Sequence, residues 1–334
     1  MMCMPTTAET FLPAIAPIAD DFDFLDGFFD VRSRRLSEPM SGGTGSGRWI
    51  ESTATSIARI HLAGGVSVDE LYFPDRKLHG MSVRVFDPVA RRWSVYWVDS
   101  ATGVLQPPVI GAWEGGRCLL TRSDSFHGRP ILCSYGWSDV GAHGGHWEQA
   151  FSVDDGKSWQ LNWEMDFIRR ESRPDHTIDP RPATDFDFLT GRFQVEHRKL
   201  DQRLAGSDSW QTFSTTSEAT TYFGGSISVD EIDLQDGVRG MTVRIRDPRT
   251  GLWSLYWINS RLGQLTTPVV GGFDEQPGEF VGTAEEDFNG RPIIVRFIWS
   301  DISGDAPHWQ QAFSEDNGQT WETNWHMSFT RIAG

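Results

Sequence analysis

Cysteine is scarce: the 334 residues hold three, Cys3, Cys118 and Cys133. So few thiols argue against a disulfide framework and for a reducing compartment, with Cys118 and Cys133 read as small buried hydrophobes. Positive charge is short as well, 30 Lys and Arg against 46 Asp and Glu, for a net charge of −16. Nucleic-acid phosphates and anionic membranes are repelled by such a chain, so neither is expected as a partner. No apolar run approaches the roughly 18 residues of a membrane span. The stretch from Phe11 to Ile18 is broken by Pro13 and Pro17 and lacks a basic segment before it, so residues 1–20 read as a loose leader rather than an export signal. Sustained helical periodicity is missing, and so are Gly-x-Gly-x-x-Gly, the P-loop and Gly-x-Ser-x-Gly, which leaves nucleotide binding and serine hydrolysis without support. A soluble, cytoplasmic protein with no cofactor is expected.

What the chain does contain is one unit written twice. Asp21-Phe22-Asp23-Phe24-Leu25-Asp26-Gly27 returns as Asp185-Phe186-Asp187-Phe188-Leu189-Thr190-Gly191. Trp93-Ser94-Val95-Tyr96-Trp97 returns as Trp253-Ser254-Leu255-Tyr256-Trp257, and His146-Trp147-Glu148-Gln149-Ala150-Phe151 as His308-Trp309-Gln310-Gln311-Ala312-Phe313. The offset drifts by only a few residues, so the unit is a domain and not a short solenoid repeat. Residues 21–170 form the first copy and 185–334 the second, each of about 150 residues and able to bury its own core. The polar segment 171–184, rich in proline, reads as a stiff linker. Two fused copies most simply replace a homodimer, which predicts a monomer with a pseudo-two-fold arrangement.

Within each copy, period-two segments alternate with turns. Met241, Val243 and Ile245 are separated by polar residues, and after the turn Asp247-Pro248-Arg249-Thr250-Gly251 the tryptophans Trp253 and Trp257 flank Leu255 on one face. This is a β-hairpin pattern. The best helical candidate is the short region from Phe22 to Phe28, with Asp21 or Asp23 as its N-cap. An all-β chain follows, and on the order of eight to ten strands per copy favour closed antiparallel up-and-down β-barrels, because closure removes sheet edges.

Each copy opens on Gly-x-Phe, Gly27-Phe28-Phe29 and Gly191-Arg192-Phe193, and ends on Phe-x-Arg, Phe167-Ile168-Arg169 and Phe329-Thr330-Arg331. This resembles the lipocalin-like, or calycin, barrels, in which an aromatic near the start sits under an arginine of the final strand. The middle, with Gly-Met-x-Val-Arg, an Asp-Pro turn and Trp-Ser-x-Tyr-Trp, is similar to a bacterial domain family of unknown function in that superfamily. The resemblance implies tandem barrels with internal cavities and implies no chemistry.

Ser152-Val153-Asp154-Asp155-Gly156-Lys157-Ser158-Trp159 and its counterpart from Ser314 to Trp321 resemble the Asp-box of sialidase propellers. A propeller repeats such a turn about every 40 to 50 residues. Here it occurs once per copy, so a structural hairpin turn is expected, with Asp holding backbone amides and Gly at positive φ. His143 and His146 lie close together without the further ligands a zinc site needs, so no metal is expected.

Candidate site residues are polar groups shared by both copies inside apolar strands. Val66, Val68 and Glu70 share one strand face, as do Ile227, Val229 and Glu231, so valines pointing inward would carry the glutamates with them. Arg84 and Arg244 interrupt valine strands, and Tyr96 and Tyr256 alternate with tryptophans. The bland reading leaves these on solvated faces. The sharper one brings Glu70, Arg84 and Tyr96, and likewise Glu231, Arg244 and Tyr256, into a barrel lined by Trp97, Tyr135, Gln149 and Trp163 in one copy and Trp257, Arg296, Gln311 and Trp325 in the other. Differences concentrate at Ser134/Arg296, Tyr135/Phe297, Gly136/Ile298 and Glu164/His326. Fifteen tryptophans and 21 phenylalanines favour a cavity for a hydrophobic or aromatic organic molecule. Binding of such a molecule is the leading expectation. The alternatives are a cofactor-independent isomerase, cyclase or hydratase, with Glu70 or Glu231 as acid or base and Tyr96 or Tyr256 as donor, and a ligand-free scaffold.

Overall fold

The computed structural model describes residues 19–40, 47–178, 181–274 and 278–332. The leader up to residue 18, and residues 179 and 180 of the linker, lie outside the described residues. The described chain divides after His176 into two compact units, a boundary inside the segment read as the linker.

Each unit is a closed antiparallel barrel of ten strands in up-and-down order. In the first, every strand pairs with the next, and Gln160–Arg170 closes the ring against Gly27–Leu36. In the second, Glu322–Arg331 closes against Gly191–Leu200. No described helix is long and apolar enough to cross a membrane.

One end of each barrel is plugged. The expected helix is a single 3-10 turn, Asp23–Leu25, and neither Asp21 nor Asp23 caps it through its side chain. Asp21 instead accepts a hydrogen bond from Trp93 Nε1 at 2.9 Å. The turn lays Phe22 across the barrel end, with its ring 4.7 Å from that of Trp93 and 5.5 Å from that of Trp113. Phe186 plugs the second barrel against Trp253 in the same way, at 4.7 Å. The paired Gly-x-Phe and Phe-x-Arg motifs fasten this end. Arg169 lies 4.8 Å above the Phe29 ring and donates to the carbonyls of Asp26 and Phe24 at 2.7 and 2.6 Å. Arg331 does likewise over Phe193, at 4.5 Å. Each contact combines cation–π attraction, about 0.5–2 kcal/mol, with satisfaction of turn carbonyls that have no strand partner.

Strand alternation sorts the side chains into lumen and outer face. On Val66–Phe73, Leu71 and Phe73 join the lumen core with Val95 and Trp93. Val66, Val68 and Glu70 therefore point outward, and that outer face is buried too, together with Met81, Val83 and Val98. On the next strand, Leu78–Asp87, Leu78 and Phe86 face the lumen, so Arg84 does as well. Gly80 of the Gly-Met-x-Val-Arg motif is there for space: a Cβ would run into the Trp97 ring, and one on Gly240 into Trp257.

The Asp-box segments are hairpin turns. Asp154 accepts from the Ser158 amide at 2.9 Å, Ser158 Oγ at 2.6 Å and Ser152 Oγ at 2.8 Å, and Gly156 sits at φ 83°. Asp316 repeats this with the Thr320 amide at 2.8 Å and Thr320 Oγ1 at 2.6 Å. Both described cysteines are buried, which pushes their thiols up to about 12.

Candidate functional site

The end of the first barrel opposite Phe22 carries a cluster of Ile131, Cys133 and Phe151, with Met40, Phe126 and Tyr135 packed against it. Its rim comes from the end of Gly27–Leu36, the start of Trp49–His61, the turn Pro74–Arg76 and the hairpin joining Arg117–Phe126 to Arg129–Gly141. These segments surround a cavity of about 630 Å³ lined by Leu36, Met40, Ile50 and Phe126 together with Arg35, Arg76 and Arg129, and by one carboxylate, Glu38. Three guanidinium groups and one carboxylate, Glu38, thus line one partly apolar cavity in a chain whose net charge is −16. Arg35 is half-buried, and desolvation, followed by the nearby Arg76 charge, lowers its pKa. Its guanidinium lies 4.9 Å over the Trp163 ring.

Below Arg35 the lumen is aromatic. Trp163 donates from Nε1 to Ser33 Oγ at 2.9 Å and meets Trp147 edge-on at 5.3 Å and Trp97 at 6.5 Å. Tyr135 packs on Trp147 at 5.2 Å, and burial raises its phenol pKa, so the hydroxyl keeps its proton near neutrality. Gln149 Nε2 donates to Asn162 Oδ1 at 2.7 Å, a buried amide pair repeated by Gln311 and Asn324 at 2.8 Å.

The second barrel has a different mouth. Lys199 replaces Arg35 and lies 4.2 Å over Trp325. The turn carrying Arg76 becomes Gln235–Gly237, with Asp236 and no cation. Arg291, the counterpart of Arg129, is held by Glu315 at 2.7 Å, where the first copy has Val153. Ser33 becomes His197, which accepts from Trp325 Nε1 at 3.2 Å, stacks on Phe213 at 4.3 Å and is pushed down to about 4 by burial.

The structure does not assemble the sharper grouping expected from sequence. Trp97, Tyr135, Gln149 and Trp163 face the first lumen, as Trp257, Gln311 and Trp325 face the second. Arg84 is in the first lumen but near its plugged end, bonded to Asp69 at 3.0 Å and lying 5.3 Å over Phe22 and 5.7 Å over Trp137. Arg244 matches it, bonded to Asp230 at 2.6 Å. Glu70 and Tyr96 are on the outer face, because their strands turn Leu71 and Trp97 inward, and Glu231 and Tyr256 follow suit. Burial raises the pKa of both tyrosines, which keeps them neutral. Arg296 also points outward, 4.0 Å over the Trp321 ring. Of the four differences between copies, Tyr135/Phe297 alone faces the lumen. Glu164 pairs with Arg34, and His326 Nδ1 lies 3.2 Å from His308 Nε2, both outside the barrel wall.

Outside the first barrel Glu70 has two partners that sequence reasoning did not assign to it. His79 Nδ1 lies 3.0 Å from Glu70 Oε1, and His176 Nδ1 lies 3.2 Å from Oε2. In the second copy Glu231 meets Arg239 instead, at 3.3 Å. The exchange of His79 for Arg239 beside a shared glutamate was the available signal. His143 and His146 do not cluster: His146 bonds Asp166 at 2.7 Å, and His143 lies 3.0 Å from the Asp139 carbonyl.

No protein-family model and no curated protein matches the chain. Among solved structures, a protein of unknown function from the DUF3598 family of Nostoc punctiforme aligns over 94% of this chain and 98% of its own, at 12% identity and a TM-score of 0.26. Two mutants of the vaccine antigen transferrin binding protein B from Haemophilus parasuis align over 91% and 92% of this chain and 75% and 76% of theirs. Both are 7% identical, with TM-scores of 0.21 and 0.20. Function is accordingly read from the residues of the site itself.

Proposed function

We propose that the first barrel binds a small aromatic organic molecule carrying an anionic group, and that it does so in the cavity at the rim opposite Phe22. The observation that carries this reading is that Arg35, Arg76 and Arg129, three cations against the single carboxylate of Glu38, line one partly apolar cavity of about 630 Å³. Among the described residues none of the three is held in a salt bridge, whereas Arg34, Arg117 and Arg122 are. Half-burial of Arg35 costs hydration that a carboxylate or sulfonate returns through charge-assisted hydrogen bonds. The apolar body of the ligand rests on Leu36, Ile50 and Phe126, above the tryptophans. The filled rim chemistry of the second barrel supports a division of labour, with that copy serving as a structural partner. We further infer that both units are lipocalin-like, calycin-type barrels and that the chain works as a cytoplasmic monomer; the aromatic under the final-strand arginine supports the first of these.

A panel of aromatic carboxylates and their methyl esters, titrated against tryptophan fluorescence, tests the proposal. The acids are expected to bind at least about tenfold more tightly than the esters, a difference of about 1.4 kcal/mol. Equal affinities overturn it.

A further inference from the structure

We infer that Glu70, His79 and His176 form a binding site for a divalent transition metal ion of the zinc type on the outer face of the first barrel. The inference is independent of the ligand site at the mouth. Among the described residues this is the one group of three whose ligand atoms converge, all within 4.8 Å of one another. The strand Val66–Phe73 presents Glu70 outward, the adjacent strand presents His79 on the same side, and the chain leaving the last strand returns His176 over both. All three side chains are at most 5% exposed.

Two imidazole nitrogens and a carboxylate are the donor set of open zinc sites, with metal–ligand bonds of about 2.0–2.2 Å and ligand atoms about 3.3 Å apart around a tetrahedral ion. The histidines reach different oxygens of Glu70, His79 Nδ1 hydrogen-bonded at 3.0 Å to Oε1 and His176 Nδ1 at 3.2 Å from Oε2, and with one ligand atom per residue all three lie within 4.8 Å of one another, a spacing that a bound ion would tighten. The second observation is independent. His176 Nδ1 is buried and makes no hydrogen bond, although it lies against Glu70, because the approach is not aligned for one. Its other nitrogen, Nε2, lies 2.9 Å from Thr55 Oγ1. In the tautomer whose Nε2 proton is donated to Thr55, the Nδ1 lone pair faces a carboxylate oxygen, an arrangement that a cation between them relieves. Histidine ligands commonly donate their far nitrogen to such an outer partner, which fixes the tautomer. Tyr72, stacked on His79 with centroids 4.5 Å apart, holds the second ring.

A second cavity, of about 600 Å³, is bounded by Thr55 and Tyr72, the residues that touch His176 and His79, and by Asp175. Three protein ligands leave one tetrahedral position for water or a small donor, the arrangement of reactive rather than structural zinc sites. Copy two supplies the internal contrast, since Arg239 places a fixed guanidinium where His79 stands.

The test uses metal-stripped, tag-free full-length protein titrated with Co(II) and then Zn(II). Expected are an intense visible absorption of tetrahedral cobalt saturating at one equivalent, its displacement by Zn(II), and a zinc-dependent rise in Tm. Glu70→Gln and His176→Gln should each weaken binding by at least a hundredfold, while His143→Gln/His146→Gln leaves it unchanged. Thr55→Val, which keeps all three ligands, should weaken it about tenfold and keeps the test decisive if the ligand variants misfold. Absence of saturable cobalt absorption in the native protein, or binding unchanged in Thr55→Val and the folded ligand variants, overturns the site and leaves a hydrogen-bonded cluster only.

Discussion

Arg35 holds its guanidinium 4.9 Å above the ring of Trp163 toward the end of the first barrel opposite Phe22. The corresponding pair in the second barrel is Lys199 over Trp325, at 4.2 Å. The geometry is shared and the chemistry is not: a guanidinium presents a planar fork of donors to an incoming carboxylate, and an ammonium presents a point charge. With Arg76 and Arg129 beside it, Arg35 makes a cationic rim that the second barrel has dismantled by placing Asp236 in one turn and Glu315 against Arg291.

The ion pair at the plugged end is expected to be structural. Arg84 and Asp69 are 3% and 1% exposed in their side chains and 3.0 Å apart. Arg84→Met leaves the Asp69 charge buried and unpaired and should cost about 3–5 kcal/mol in urea denaturation. Adding Asp69→Leu should recover a large part of that loss. If Arg84→Met alone is neutral, the pair is not holding this end.

Gly80 and Gly240 are predicted to resist even the smallest side chain. Alanine at either position meets a tryptophan ring, Trp97 or Trp257, so each substitution should destabilise by about 1–3 kcal/mol and shift tryptophan emission. Thermal unfolding followed by fluorescence reads both effects, and an unshifted Tm with unchanged emission would show that the rings yield freely.

Much of the fold was legible because period-two alternation and turn residues are local signals. The Gly-x-Phe and Phe-x-Arg ends were legible for the same reason, and Arg169 over Phe29 closes them. The lumen side was not, since both faces of Val66–Phe73 are apolar: Val66 and Val68 oppose Leu71 and Phe73, and alternation cannot say which pair points inward. Glu70 was consequently read with the wrong companions. Arg35, Arg76 and Arg129 lie on three separate segments, and only ring closure brings them to one cavity. His176 belongs to the segment read as a linker, whose path no periodicity reports.

Acid sensitivity should arise in the Asp-box turns. Hydrogen bonds from Ser158 hold Asp154 down at about 2, and those from Thr320 hold Asp316 at about 2, against an ordinary 3.8. A depressed carboxyl binds fewer protons folded than unfolded, so its stabilising contribution is complete above about pH 4 and is lost as pH falls toward 2. Carboxyl titration by NMR should locate both midpoints near 2, and Asp154→Asn should lower Tm at pH 7 more than at pH 2. Midpoints near 3.8 would contradict the hydrogen-bond account.

The most direct measurement is a titration with the fluorescent aromatic anion anilinonaphthalene sulfonate, comparing the native chain with Arg35→Gln and Lys199→Gln. The account predicts saturable binding at one site with quenching of tryptophan emission, at least about tenfold weaker binding in Arg35→Gln, and native affinity in Lys199→Gln. Equal affinity in Arg35→Gln and the native protein, or a loss confined to Lys199→Gln, would contradict a ligand site at the mouth of the first barrel.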